Sequence, residues 1–295
     1  MNARERGFLL LTSQLGAPER KPLTVAQFRT LATRAAQMEM PLESRELDET
    51  DLVALGYDRQ SADRIIRLLS DEEWLDRYLA KGRLRNCVPI SRVSNGYPAS
   101  VRQRLGLDAP GCLWAKGELS LLETPRISLV GSRDLAENNR AFAETVGREA
   151  ARQGITLVSG NARGADKIAQ DACLENGGRV ISVVADKLQD YPFVSNMLYL
   201  SEDSFDLPFS AIRALDRNRV IHSLGFLTVV AQCNGRRGGT WDGTTKNLQH
   251  NWSPVFCFDD GSSIALELEQ LGATLLDRSE LADISALQPN ISSLI

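Results

Sequence analysis

The chain has 295 residues, enough for one large domain and a small one. Its 43% hydrophobic and 24% charged residues are ordinary for a globular protein, and no run of about eighteen apolar residues exists to span a bilayer. The net charge of −4 argues against indiscriminate nucleic-acid binding, but the charge is unevenly spread: residues 247–295 hold seven acids and one arginine, whereas residues 77–116 hold eight bases and one acid, Asp108.

Residues 8–11 form too short an apolar patch for a secretory core and read as part of an opening helix. Residues 24–40 carry Val25, Phe28, Leu31 and Ala35 or Ala36 at helical spacing, with Thr24 as N-cap and Pro41 as stop. Residues 51–69 read as two short helices about Leu55-Gly56-Tyr57, a pattern that resembles a helix-hairpin-helix or SAM-like unit. Gly56 permits the tight turn, and its neighbouring amides are either phosphate contacts or part of an ordinary helical turn. This predicts a small all-helical domain over residues 1–85.

From Asn86 the pattern changes. Short strands at 88–90 and 113–115 bracket a helix at 98–105, and further strands at 127–130, 155–158, 180–184, 226–231, 255–258 and 274–276 alternate with helices. Continuous apolar runs of this kind suit a parallel sheet covered on both faces. The expected architecture is therefore α/β over residues 86–295, with a Rossmann-like, doubly wound, mostly parallel sheet. The five cysteines, Cys87, Cys112, Cys173, Cys233 and Cys257, are odd in number and contain no C-x-x-C pair. They point to reduced, mostly buried thiols in a cytoplasmic protein. With only His222 and His250 beside them, neither a metal nor a cofactor is expected.

Four segments carry candidate chemistry. Gly131-Ser132-Arg133 follows a strand but lacks the later glycines of a dinucleotide fingerprint and the G-K-[ST] of a phosphate loop. What remains is a glycine for close approach, a hydroxyl, and a guanidinium able to grip phosphate. The next strand ends in Ser159-Gly160-Asn161-Ala162-Arg163-Gly164-Ala165-Asp166, where Asp166 can cap the following helix or hold Arg163. Arg213 to Ile221 places Arg217, Asn218 and Arg219 next to a turn into an apolar helix over 220–224. Gln232 to Thr240 adds Arg236 and Arg237 among glycines at another strand end. Four such loops predict one basic crevice without a nucleophile–base pair or carboxylate cluster, so no catalytic residue is expected and the site is built to bind.

Together these motifs resemble the DNA-processing protein A family, DprA or Smf. The resemblance rests on Val130-Gly131-Ser132-Arg133, on Ser159 to Asp166, on Tyr191-Pro192 and on Leu215 to Ile221, with Tyr97-Pro98 and Trp114-Ala115-Lys116-Gly117 upstream. It implies a non-catalytic protein that binds single-stranded DNA through Gly131, Ser132, Arg133, Gly160, Arg163, Gly164, Arg217, Asn218 and Arg219. It also implies a homodimer, and hand-over of the strand to a RecA-type recombinase in the best-known members. Gly235 to Trp241 departs from the family's S-G-S-x-x-T, Gln170 stands where a histidine is usual, and the C-terminal winged-helix domain of many members is expected to be missing after Asp283. Two other classes stay open: a nucleotide sensor, including one in phage defence, and a phosphoribohydrolase-like enzyme echoed by Gly238-Gly239-Thr240-Trp241-Asp242.

Overall fold

Val, Ile, Leu and Phe dominate the apolar runs, and such residues fill both faces of a helix-covered sheet. The computed structural model, which describes residues 1–17, 19–38 and 47–289, folds these runs as strands. They are β1 (Val88–Ser91), β2 (Cys112–Gly117), β3 (Arg126–Val130), β4 (Thr156–Ser159), β5 (Val180–Val184), β6 (Met197–Glu202), β7 (Thr228–Val230), β8 (Val255–Phe258) and β9 (Thr274–Leu276). Among the described residues they form one sheet in the order β1-β2-β6-β5-β4-β3-β7-β8-β9. The β1–β2 and β2–β6 pairs are antiparallel and the rest are parallel. The chain steps from β3 out to β6, then crosses back to lay β7, β8 and β9 on the other side of β3. The winding thus reverses between β3 and β7, and doubly wound sheets bind ligands at the carboxyl edge beside such a reversal. The Rossmann-like architecture expected from the sequence is the one observed.

The helices are α1 (Ala3–Thr12), α2 (Val25–Ala35), α3 (Glu49–Ala54), α4 (Arg59–Ser70), α5 (Glu72–Leu84) and α6 (Ala99–Leu105). They continue as α7 (Glu137–Arg152), α8 (Ala165–Glu175), α9 (Ala211–Asp216), α10 (Asn218–Leu224), α11 (Gly239–His250) and α12 (Ser263–Gln270). Alternate strand residues feed two cores. Ile127 and Leu129 pack with Phe142 and Val146 of α7 and Ala165 and Ala169 of α8. On the opposite face Val130 joins Val101 of α6, Val220 and Ile221 of α10, and Leu268 of α12. Phe8, Leu9 and Leu10 of α1 and Leu75, Tyr78 and Leu79 of α5 belong to the first core, where Tyr78 lies against Trp114 and Phe205 with ring centroids 5.4 and 4.8 Å away. A smaller core of Leu23, Leu31, Leu52, Ala62, Ile65 and Leu68 sits among α2, α3 and α4.

Thr24 caps α2 through a capping box with Gln27, as its sequence suggested. That helix ends at Ala35; its expected run to Met40 and the Pro41 stop fall outside the described residues. At the second turn Gly56 takes φ +82°, but the amides of Leu55, Gly56 and Tyr57 already donate to Asp51, Val53 and Leu52. Arg34 donates to the carbonyls of Leu55 and Gly56 and covers the Tyr57 ring. Of the two readings left open for this turn, the ordinary helical one fits, because its amides are not free for phosphate. Two elements escaped the sequence reading. β6 opens on the apolar run Met197 to Leu200 but follows β5 through only a short turn at Leu188–Asp190, so a pattern of strands alternating with helices passes over it. α9 has no buried residue, so its pattern gives no inward stripe to detect.

Candidate functional site

Three loops meet at the reversal point, one each from the ends of β4, β3 and β7. Gly131 follows β3, and a Cβ there would run into Ala165 at the start of α8 and Ala231 after β7. The Ser132 amide donates to Gln232 O at 3.0 Å, the Ala136 amide to Gln232 Oε1 at 2.8 Å, and Asn234 Nδ2 to Asp134 O at 2.8 Å. From the other side the Ala165 amide donates to Ser132 O at 3.1 Å. Gly164, at φ +91°, lies so close to the Ser132 and Arg133 backbone that a side chain has neither space nor an allowed conformation. These bonds lock the three loops into one surface.

Beneath the β4 loop sits a buried charge pair. The Asp166 side chain folds back to accept from the amides of Gly160 at 3.1 Å and Ala162 at 3.2 Å. Burial pushes its carboxyl up from the usual range, while the charge of Arg217 pulls it down. Arg217 is itself buried, its Nη1 donating to the Val183 carbonyl at the end of β5. Burial lowers its guanidinium, and Asp166 opposes that shift. Gly160 makes the arrangement fit: a Cβ on it would overlap the Arg217 guanidinium. Of the two roles foreseen for Asp166, neither capping α8 nor holding Arg163 is the one seen; it braces its own loop, and Arg163 pairs with Asp134 at 2.8 Å.

The structure brings together Gly131, Ser132, Arg133, Ser159, Gly160, Arg163, Gly164, Asp166, Arg236 and Arg237 along the carboxyl edge of β4, β3 and β7. Arg236 is tied to Glu267 at 2.8 Å. Arg133 and Arg237 are exposed and have no hydrogen bond or ion pair among the described residues. Asn218 joins the edge from α10, its Nδ2 donating to Gly239 O at 3.1 Å in the first turn of α11. Arg217 supports the edge from below without facing solvent. Arg219 is drawn away from it, donating to Asp108 O at 3.0 Å and to Glu202 Oε2, at the end of β6, at 2.7 Å. Burial raises the Glu202 carboxyl to about 7, against the pull of Arg219. Asp242, the acid of the phosphoribohydrolase echo, is paired with Lys246 at 2.9 Å.

Sequence reasoning passed over the residues that join the loops. Asn161, in a left-handed conformation at φ +57°, donates to Tyr191 Oη at 3.3 Å, and Tyr191 donates to Asp186 at 2.8 Å. Gln232 and Asn234 do the same work between β3 and β7. The asparagine preceding Ala-Arg-Gly was the one local signal, since asparagine tolerates that conformation. The basic run at 77–116 has another use. Arg92 donates to Gly106 O at 2.6 Å, Arg104 to Ser223 O at 3.1 Å, Lys116 to Gln189 O at 2.8 Å, and Lys81 pairs with Asp206 at 2.6 Å.

Comparison with known proteins identifies the family and the fold. The sequence model of the family described as DNA recombination-mediator protein A matches residues 89–280. The DNA processing protein DprA of Streptococcus pneumoniae is 33% identical over 142 residues, covering 44% of this chain and 50% of that protein. The Bacillus subtilis DprA is 30% identical over 177 residues, covering 56% and 58%. The chain thus spans a little over half the length of these relatives at most. Among solved structures, S. pneumoniae DprA superimposes with a TM-score of 0.65 at 23% identity, covering 91% of this chain and 99% of that one. A Helicobacter pylori DNA processing protein A, described with its single-stranded DNA binding mode, reaches 0.54 at 22% identity, covering 66% and 94%. At these identities the structural likeness speaks for the fold.

Proposed function

Since the chain belongs to the DNA recombination-mediator protein A family, we propose that it binds single-stranded DNA at the carboxyl edge of β4, β3 and β7 and makes or breaks no bond in it. One observation carries this reading. The three interlocked loops present Arg133 and Arg237 to solvent with no protein partner among the described residues, beside the exposed Arg163 and Arg236. Adjacent strands lie about 4.8 Å apart, so these cations spread over roughly 10 Å of sheet edge. A row of cations on separate loops suits consecutive phosphates of a polymer better than one small anion. The rigid backbone scaffold holds them in place before any ligand arrives, which lowers the ordering cost of binding. The relatives' names point the same way.

The same proposal includes assembly as a homodimer and transfer of the strand to a RecA-type recombinase. Fluorescence anisotropy of a labelled oligonucleotide tests its core. Binding is expected to weaken steeply with salt, with a log–log slope of about −0.7 per phosphate contacted, and mononucleotides at the same phosphate concentration are expected not to displace the strand. Salt-independent binding, or displacement by AMP at equal concentration, would contradict it and favour a nucleotide sensor.

A further inference from the structure

α9 is built inside out. Its charged Arg213 points toward the sheet and donates to the carbonyls of Ala185 at 2.7 Å, Pro208 at 2.9 Å and Leu207 at 3.1 Å, and to Ser201 Oγ at 3.0 Å. Its apolar residues point outward: Ile212 is 72% exposed and Leu215 42%. These two lie three apart and share one helix face. Phe209, immediately before the Ser210 N-cap, is 57% exposed, and Phe193 is 73% exposed. Phe209 lines a small groove with Tyr191 and Pro192, the residues just before Phe193. Folding alone places such side chains inward. An arginine held inside by four acceptors fixes the opposite orientation.

The apolar face continues directly into the loop surface. Leu215 stands beside Gly239 and Asn218, where the β7 loop enters α11. At its other end Tyr191 receives a hydrogen bond from Asn161 of the β4 loop. The groove also contains Asp186, Lys187 and Asp190, a lining with one net negative charge that does not favour phosphate. A ligand that crosses from the cationic loops onto this face must therefore change from anionic to flat and apolar. A nucleotide strand with unpaired bases has that make-up, because its phosphates and its base faces point to different sides.

We propose that Phe193, Phe209, Ile212 and Leu215 form a stacking platform for the unpaired bases of the strand whose phosphates meet Arg133 and Arg237. This rests on the nucleic-acid reading of the loops and adds the reason for preferring a single strand, since paired bases cannot reach the platform. Phe193→Ala/Phe209→Ala tests it in the full chain, with three labelled probes: an oligo(dT), an abasic phosphodiester of the same length, and a duplex. Loss of stacking on one base is expected to weaken oligo(dT) binding about 5- to 150-fold. The affinity for the abasic strand and the salt slope are expected to stay unchanged, and Phe193→Trp to retain most of the oligo(dT) affinity. Both side chains are exposed, so the thermal midpoint serves as a check that the fold is intact. Undiminished oligo(dT) binding in the double variant, with Arg133→Ala still impaired, would overturn the platform and leave the loop reading standing. Equal affinity of the unaltered protein for dT and abasic strands would do the same. A dimer seen by sedimentation that the double variant dissociates, with oligo(dT) binding unaffected, would assign this face to a second copy instead. If the unaltered protein binds none of the probes, the loop reading fails and the platform fails with it.

Discussion

Two groups of arginines in this protein do different work. Those at 92–126 and 213–219 point inward and satisfy main-chain carbonyls: Arg92 at Gly106, Arg104 at Ser223, Arg126 at Thr124 and Leu224, Arg213 at Ala185 and Arg217 at Val183. Those on the loops after β3, β4 and β7 face solvent, and Arg133 and Arg237 are left without a protein acceptor among the described residues. Buried carbonyls without a donor cost free energy, so the first group is needed for the fold whatever the protein binds. Arginine density along the sequence therefore does not locate a basic site. The densest run, 77–116, is largely tied up, whereas Arg133 and Arg237 stand three and seven residues after the ends of β3 and β7.

Substitutions should separate the groups, and the largest effect is expected at the buried pair. Arg217→Ala strands Asp166 in the interior and removes the donor to Val183, and should destabilise by about 3–5 kcal/mol in urea denaturation. An unchanged midpoint would place Arg217 with the exposed group. Next comes Gly164→Ala, which forces a side chain into a left-handed conformation against the Ser132–Arg133 backbone. A loss of about 1–3 kcal/mol is expected, together with loosening of all three loops. Hydrogen exchange at the Ala165 amide would register the loosening, and full protection would argue that the loops are not one unit.

The contrast extends to titration. His222 is buried beside Asn247 and Thr228, and burial drops its pKa to about 3 from 6.5. Between those values the unfolded chain binds a proton that the folded one refuses, so its contribution is lost as pH falls from about 6.5 towards 3. Glu202 acts in the opposite sense: raised to about 7 from 4.5, it favours the folded state as pH falls across that window. The two oppose each other between pH 4.5 and 6.5, and only His222 still acts below. His222→Asn should therefore flatten the fall in stability between pH 4.5 and 3 relative to the unaltered protein, and an equal fall in both would remove His222 from the account. The smallest effect belongs to the exposed pair. Asp134→Asn should change stability by under about 1 kcal/mol while releasing Arg163 and tightening DNA binding severalfold; weaker binding would show that Asp134 positions Arg163 productively.

Much of the fold was legible because its strands are buried on both faces and read as unbroken apolar runs. β6 and α9 were not, since no helix separates β6 from β5 and α9 inverts the usual polarity. At the site, glycine marked the loops correctly: Gly131, Gly160 and Gly164 each stand where a side chain would collide with a neighbouring loop or with Arg217. The orientation of Arg217 and Arg219 was not legible. Three arginines in seven residues look alike in one dimension, and only the crossing from β6 to β7 decides which meet carbonyls or Glu202. The joining residues Asn161, Gln232 and Asn234 act across loops far apart in sequence, so no local spacing announces them.

The central claim is that the free cations of the strand-end loops, and not the inward arginines, hold single-stranded DNA. It is tested most directly by the salt dependence of oligonucleotide affinity in Arg133→Ala/Arg237→Ala against the unaltered protein. Losing two phosphate contacts should lower affinity at least tenfold and reduce the log–log slope by about 1.4, with stability within about 0.5 kcal/mol of the original. An unchanged affinity and slope in a folded double variant would contradict the account.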